Sequence, residues 1–518
     1  MSGATERSRR RGAPDPGVVG AFASRISLPK RMRHHLLPAL FPALLAGCTL
    51  GPDFHAPDVV APTHWPEQPR DLAGTTYGGP VDIQWWKQFH DPVLDGLIER
   101  LAKQNLELQR GFQRILEARS QTRIAAAQGL PNLDWAGSYS RVHQSETGFI
   151  SLVEPRPGAP NEYDFYQNTL GASWDLDLFG QIRRATEAQR AGQDAAIEAR
   201  HGVALSTIAT MVQSYMQLRG VQDQIAIAER HLALARHDVA LAEARIANGA
   251  ASSLDLAQAR TERANTAAAL PPLRNSESAL INAIGLLLAE PPRSLSETLR
   301  RHPGVLPVVV PRAPIGIPSQ LARRRPDIRE AEARLHAATA GIGVAIAAFY
   351  PDITLTGQMG TQTLSAASFF SLPSRQFATG PTLSVPLFQG GRLRGTLALR
   401  RAEQRDAALA FHQTVLRAWN EVDDALTAYT QSQRRLVETE TALKESRVAA
   451  SVARERYRQG AVDFLQVDIA EAQALAAEAA ASSNRIQIAT AFVALYRALG
   501  GGWESAEFNR ENTANTDD

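Results

Sequence analysis

From Ala408, every seventh residue is apolar: Val415, Val422, Tyr429, Leu436, Leu443, Ala450 and Tyr457. The same step begun 211 residues earlier gives Ile197, Ala204, Met211, Leu218, Ile225, Leu232, Val239 and Ile246. In a chain that is 44% apolar, eight in a row arises roughly once in 700 trials per register, so two such runs at one offset mark helical seams. Three residues past each seam position the side chains are mostly small: Ala418, Ala425, Ser432, Thr439, Ser446 and Ala453 in one run, Thr207, Ser214, Val221, Ala228, Ala235 and Ala242 in the other. A strict seven-residue repeat predicts left-handed supercoiling, and small neighbours let helix backbones approach. Residues 183–245 and 392–458 contain no proline. At 1.5 Å per residue they predict helices of ~95–100 Å. Gly249 and Gly460 follow, where a glycine at positive φ ends a helix. Returning helices are expected over about 250–288 and 464–499, the first broken or kinked at Pro271-Pro272. An earlier helix should start with Asp91 as N-cap and Pro92 at its first position, and run to about Gln128.

Four shorter segments alternate with period two. Leu133, Trp135 and Tyr139 oppose Asp134, Ser138 and Ser140; Leu170, Ala172, Trp174, Leu176 and Leu178 oppose Thr169, Ser173, Asp175 and Asp177. Ile353, Leu355 and Met359 oppose Asp352, Thr354, Thr356 and Gln358; Leu383, Val385 and Leu387 oppose Thr382 and Ser384. Strands apolar on one side and polar on the other suit a membrane barrel, or a soluble sheet packed on helices. Four strands cannot close a barrel, and lipid tolerates no open edge, so a membrane reading needs several chains. It places Leu170, Trp174, Leu178, Leu355 and Leu387 against lipid, and Asp175 and Asp177 in the lumen.

Matching motifs divide the chain into two copies of one plan. Gly-Leu-Pro-Asn-Leu-Asp at 129–134 pairs with Phe-Tyr-Pro-Asp-Ile-Thr at 349–354, Leu178-Phe179-Gly180 with Leu387-Phe388-Gln389, and Asn248-Gly249 with Gln459-Gly460. The expected organisation is a signal over 1–47, an extended tether over 48–84 with no core of its own, repeats over 85–290 and 315–503, and a polar tail over 504–518.

The 518 residues carry a net +2, but residues 1–47 alone carry eight basic and two acidic side chains. The remainder is mildly acidic and has no basic run, which argues against nucleic acid as a partner. A single cysteine, Cys48, excludes a disulfide framework and any cysteine-cluster zinc site. Lys30 to His35 is basic, Leu36 to Leu45 apolar, and Leu45-Ala46-Gly47-Cys48 resembles a bacterial lipobox whose cysteine is acylated. The competing reading is a buried structural cysteine. The signal looks complete from Met32, which makes that residue the expected start; the alternative is that residues 1–31 are a basic extension of the signal. Thr49 lacks the aspartate that, by resemblance, retains such lipoproteins in the inner membrane. After residue 47 no run of 18 apolar residues occurs, so no membrane-spanning helix is expected.

Taken together, the lipobox region Leu45 to Phe54, Trp85-Trp86, Ser173 to Gly180, Arg324-Arg325-Pro326-Asp327-Ile328, Phe349 to Ile353, Pro386 to Arg392 and Arg456 to Gly460 resemble the outer-membrane efflux proteins of the TolC type. The resemblance is to the lipoprotein branch serving resistance-nodulation-division pumps, and spans about 48–503. It implies a mainly α-helical homotrimer: a 12-strand β-barrel, four strands per chain, above a long antiparallel coiled-coil α-barrel. It further implies an outer-membrane location, an inner-membrane pump and a periplasmic adaptor as partners, and no cofactor. A periplasmic coiled-coil lipoprotein acting as tether or adaptor is the alternative of a different class.

Motifs for an enzyme are missing: no phosphate-binding loop, nucleophile elbow or His-Glu-x-x-His is present. His231 and His237 do not share a helix face and read as solvated surface histidines. Arg323 to Asp327 reads either as an anion site or as a helix start whose arginines pair with carboxylates. The turns at Gly249 and Gly460, each followed by a leucine, Leu254 and Leu465, are the expected docking tips. Asp255, Asp463 and Asp468 lie just past these turns, where a threefold axis would make rings of acid that select cations. The alternative is a carboxylate placed at a helix N-terminus by the dipole. Family entrance aspartates align instead with Gln466 and Ile469. Asp463 and Asp468 are the candidate gate, with Arg456 and Arg458 as expected polar partners.

Overall fold

The computed structural model describes residues 49–58, 76–77, 82–145, 162–249, 251–301, 313–314, 324–505 and 508. They belong to the unit Thr49–Asp518; Cys48, the expected signal and Arg323 lie outside the described residues.

Asp91 starts the first helix, α1 (Pro92–Gln104): its Oδ1 accepts from Val93 N and Leu94 N at 2.9 and 3.4 Å, and Pro92 stands where no amide is needed. The helix expected to continue to Gln128 is broken at Asn105. There the backbone is extended, Oδ1 caps α2 (Leu106–Ala127) through Leu108 N at 3.0 Å, and Nδ2 donates to Leu287 O at 2.8 Å. A side chain that satisfies the new helix start and a carbonyl of another helix end competes successfully with one further helical turn.

Strands β1 (Asn132–His143) and β2 (Glu162–Asp175) follow, then α3 (Gln181–Ala247) and α4 (Ser253–Leu287). After the short α5 (Ser296–Arg301), the plan recurs as α6 (Pro326–Ala347), β3 (Asp352–Thr363), β4 (Arg375–Ser384), α7 (Arg392–Arg458) and α8 (Phe464–Ala498). Corresponding helices have equal lengths: 67 residues for α3 and α7, 35 for α4 and α8, 22 for α2 and α6. The long helices therefore run ~100 Å each. Every seam position is buried or half-buried.

The predicted break at Pro271-Pro272 does not occur; α4 runs through both. Leu270 is buried against Ala228 and Leu232, Leu273 packs beside it, and Arg274 pairs with Glu229 at 3.0 Å. Packing on α3 on both sides of the prolines outweighs the missing amides.

Side by side, α2, α3, α6 and α7 form one layer, and α4, α3, α8 and α7 continue it toward the far turns. At mid-height the main core wraps this layer. Trp85, Trp86 and Phe89, in a 3-10 turn (Trp85–Phe89), pack with Tyr429, Phe492 and Tyr496, joined by α1, α5 and Trp503. Arg219 is buried here and donates to Tyr215 Oη (2.8 Å), Gln222 Oε1 (2.8 Å) and Leu299 O (3.1 Å).

The tether is not wholly without structure. Thr76–Tyr77 pairs in parallel with Ala313–Pro314, and Thr49 to Phe54 pack on the helices, as described below.

Candidate functional site: the sheet and the helix tips

The strands form one antiparallel sheet in the order β1-β2-β3-β4, so the two copies of the plan meet at β2 and β3 and the sheet's outer edges are β1 and β4. Its register aligns side chains by chemistry. Trp135, Leu170, Met359 and Phe377 form one cross-strand row; Trp174, Leu355 and Pro381 form another on the same face. The next residues along turn to the other face, which presents Ser173, Thr356 and Gly380, then Asp134, Gly171, Gln358 and Ala378. Past one row of Gly137, Asn168, Thr361 and Arg375, Tyr139 and Tyr166 lie with tilted rings 5.0 Å apart at the upper end of the apolar face, and Arg141 bonds Glu162 at 3.0 Å beyond them. An apolar band, an aromatic girdle and then charge is the profile of a strand crossing a bilayer into water.

Two boundaries differ from expectation. The second strand ends at Asp175, so Leu178 lies in a turn, and Asp177 is not a lumen residue of the sheet. Asp177 has φ of 42°, and its carboxylate accepts from Ile182 N (2.8 Å) and Arg183 N (2.9 Å), which caps α3. Asp175 does stand on the polar face, accepting from Thr354 Oγ1 at 2.7 Å. The last strand begins at Arg375 and ends at Ser384, which leaves Val385 and Leu387 beyond the sheet. Pro381, which cannot donate to a ladder, sits on the edge strand where it is tolerated.

Where strands become helices, residues Thr49 to Phe54 cross α3 and α6. Leu50 N donates to Phe179 O at 3.3 Å. Arg184, buried, donates to Leu50 O (3.0 Å) and to Asp53 Oδ1 and Glu187 Oε2, both at 2.7 Å. Phe54 stacks on His336 at 4.5 Å, and His336 Nε2 meets Glu187 at 2.9 Å. These partners lie more than a hundred residues away in sequence, and nothing local to Thr49–Phe54 announces them.

Gly249 and Gly460 hold φ of 70° and 75°, as their turns require. The returning helices are capped, α4 by a Ser252–Asp255 capping box and α8 by Asp463, whose Oδ1 accepts from Gln466 N at 3.3 Å. For Asp463 and Asp255 the helix-start reading therefore holds within the chain. Arg458 bonds Glu455 rather than Asp463, and Arg245 donates to Tyr457 O and lies 4.3 Å over its ring. Leu254 and Leu465 are exposed beside the turns. Asp468 is half-buried; burial, with Glu262 and Glu471 beside it, raises its carboxyl above the usual range.

Above the tip, Asp238 of α3 is 3% exposed and lies against Glu471 of α8, itself bonded by Arg454 of α7 at 2.9 Å. Higher still, Arg230, His231 and Arg447 converge on Glu478. His231 is thus a half-buried partner of a carboxylate, not a solvated surface group. Arg325 likewise pairs with Asp327 (2.8 Å) and Glu421 (2.7 Å), and Arg324 with Glu504 (3.0 Å), which excludes a free anion site there.

A sheet with a lipid profile at one end of ~100 Å helices, and capped hairpin turns at the other, is the geometry of a membrane-anchored tunnel. The outer membrane efflux protein family matches residues 97–287 and 317–501, well over half the chain. The chain belongs to this family. It is similar to outer membrane protein OprJ of Pseudomonas aeruginosa, 32% identical over 479 residues, covering 90% of this chain and 95% of that protein. The cation efflux system protein CusC of Escherichia coli is 29% identical, with 90% and 99% covered. Among solved structures, the outer-membrane channel OprN superposes with a TM-score of 0.80 at 34% identity, over 88% of this chain and 100% of that one. The chain is an outer-membrane efflux channel with a periplasmic helical tunnel, in a family of transport proteins, and the reading as a periplasmic tether or adaptor is set aside.

Proposed function

We propose that the chain is one third of a closed exit duct for a tripartite efflux system. Three copies join head to tail, each giving four strands to a 12-strand barrel. The observation that carries this is the pair of open sheet edges beside one apolar face. Such edges are not tolerated in lipid, and a heterologous contact that closes a ring removes them. The outermost helices support it: α7 leaves Leu409, Leu416, Val437 and Val448 exposed, and Leu106, Ile124 and Leu286 are exposed on α2 and α4. The number three comes from the family resemblance.

The barrel's inner face is polar, with acids as its charges at Asp134, Asp175 and Asp352, and it suits passage of varied small molecules without a binding step. Energy and choice of cargo then belong to an inner-membrane resistance-nodulation-division pump. Gly249, Leu254, Gly460 and Leu465 form the end that meets a periplasmic adaptor, and Asp468, with Asp463 at the rim, narrows that end. Cys48, acylated after removal of residues 1–47, adds a lipid anchor in the outer membrane. Detergent-purified protein should have the mass of three chains and give discrete conductance steps in planar bilayers, raised by Asp468→Ala. A single-chain mass, or trimers that never conduct, overturns the duct; unchanged conductance in Asp468→Ala removes that residue from the gate.

A further inference from the structure

The chain's two hairpins, α3–α4 and α7–α8, must move against one another if the tip is to widen. About eleven residues above Gly249, ~16 Å by the helix rise, their seam holds an arrangement that ordinary coiled coils avoid. Asp238 on the first hairpin is 3% exposed and Glu471 on the second is 9% exposed, and the two carboxyls are in hydrogen-bond contact. Two carboxyls make that bond only when one of them carries a proton.

The charges around them do not remove this need. From α7, Arg454 donates through Nε to Glu471 at 2.9 Å, and Arg458 acts on Asp238 at longer range while bonding Glu455. From α8, Asp468 adds negative charge, and from α4 Glu262 adds more. Tyr457, Arg245 and Asp255 lie on the tip side, with Arg245 committed to Tyr457. Asp238 Oδ2 is fully buried, and no amide, hydroxyl or cationic donor among the described residues reaches it. Arg454 also acts on Asp238 by its charge, but its hydrogen bonds go to Glu471; acid exceeds base at the seam, and the contact between the two carboxyls is left to a proton.

We propose that Asp238 and Glu471 form a proton-binding site that ties the first hairpin to the second, and that loss of its proton frees the seam above the tip. With the proton bound, the acid of one helix donates to the carboxylate of the other and bridges α3 to α8. With it lost, two buried carboxylates face each other across the seam. Burial, and then Asp238, push the Glu471 carboxyl up to about 7. A raised value means that the tied state is complete below the ordinary carboxyl range and is lost as pH rises through about 7. The tie rests on the duct reading only for its consequence at the tip.

Two measurements on full-length trimers separate the site from that reading. The first is infrared titration from about pH 5.5 to about pH 8.5, on either side of that value. Wild-type protein should show a protonated-carboxyl band that disappears with a midpoint near 7, and Glu471→Gln should lack it. An unchanged band in Glu471→Gln, or a midpoint in the ordinary carboxyl range, overturns the site. The second is conductance over the same range. Wild-type trimers should gain severalfold as pH rises, while Glu471→Gln, which keeps a neutral donor beside Asp238, stays at the low value throughout. The same pH profile in both overturns the tie. Trimers that never conduct overturn the duct, and the infrared titration still decides the site. Heat-modifiable trimers on gels confirm that the variant assembles.

Discussion

Met359 and Gln358 are neighbours in sequence and should differ sharply in tolerance of charge. Met359 shares its row with Trp135, Leu170 and Phe377; Gln358 faces the opposite way beside Gly171 and Ala378. From the Ile353–Leu383 row to the Tyr139–Tyr166–Thr363 row the lipid-facing side runs ten steps along β3, ~34 Å at ~3.4 Å per residue, with one polar row, Asn168, Thr361 and Arg375, just short of its upper end. With a strand tilt of about 40°, that is ~26 Å of membrane depth, and Met359 lies near its middle. An arginine at the midplane of a lipid-facing strand costs ~2–4 kcal/mol, and a trimer carries it three times, ~6–12 kcal/mol in all. Leu355→Arg, closer to the rim, should cost less, because the penalty falls to ~0–1 kcal/mol at the interface. Gln358→Arg places its charge in the aqueous lumen. Outer-membrane fractions, run with and without heating, should therefore show trimers for Gln358→Arg, reduced trimers for Leu355→Arg and nearly none for Met359→Arg. Equal trimer yields for Met359→Arg and Gln358→Arg would refute the membrane placement of this sheet.

Arg219→Met removes three buried hydrogen bonds at the mid-height core and should destabilise the helical region by about 3 kcal/mol, read as a lower melting temperature by circular dichroism. Gly460→Val puts a β-branched side chain at φ of 75°, a strain of ~1–2 kcal/mol confined to the tip, so trimers should form while efflux is lost; normal efflux would move the docking end elsewhere. Two carboxyls predict a stability optimum in pH. Burial of Glu478 is outweighed by its bonds from His231, Arg447 and Arg230, so its value is lowered and its contribution, complete above about pH 4.5, is lost in stronger acid. Glu471 contributes in the opposite sense, below about 7, so melting temperature should peak between these limits, and a monotonic rise to pH 8 would contradict the pairings.

The long helices were legible because their signal is local and repeated. An apolar residue every seventh position over eight repeats survives any single misreading, and Gly249 and Gly460 end the pattern with residues suited to the backbone there. Strand existence was legible for the same reason, but strand ends were not. Leu178 and Leu387 continue the alternation past the last ladder bond, because alternation records which face a side chain takes and says nothing of where pairing stops. The prolines of α4 and the break at Asn105 went the other way. A residue with a strong local preference was overruled in one case by packing on α3, and in the other a residue of ordinary helical context was captured by Leu287.

The candidate site divides along the same line. Gly249, Gly460, Leu254 and Leu465 are tied to turns and can be read from spacing. Asp463, taken for a gate residue, is also one residue before a helix, and position alone cannot separate a capping role within the chain from a role across a threefold axis. Asp238 and Glu471 carried no signal. Each sits in a helical stretch of mixed charge where an acid normally points to water, and the two are more than two hundred residues apart. Their meeting depends on the register of α3 against α8, which no heptad count on one helix supplies. Such groups are where a duct of this kind can be regulated: a coiled coil made only of seam leucines and alanines is stable at every pH, whereas a buried acid pair makes the same contact conditional on a proton.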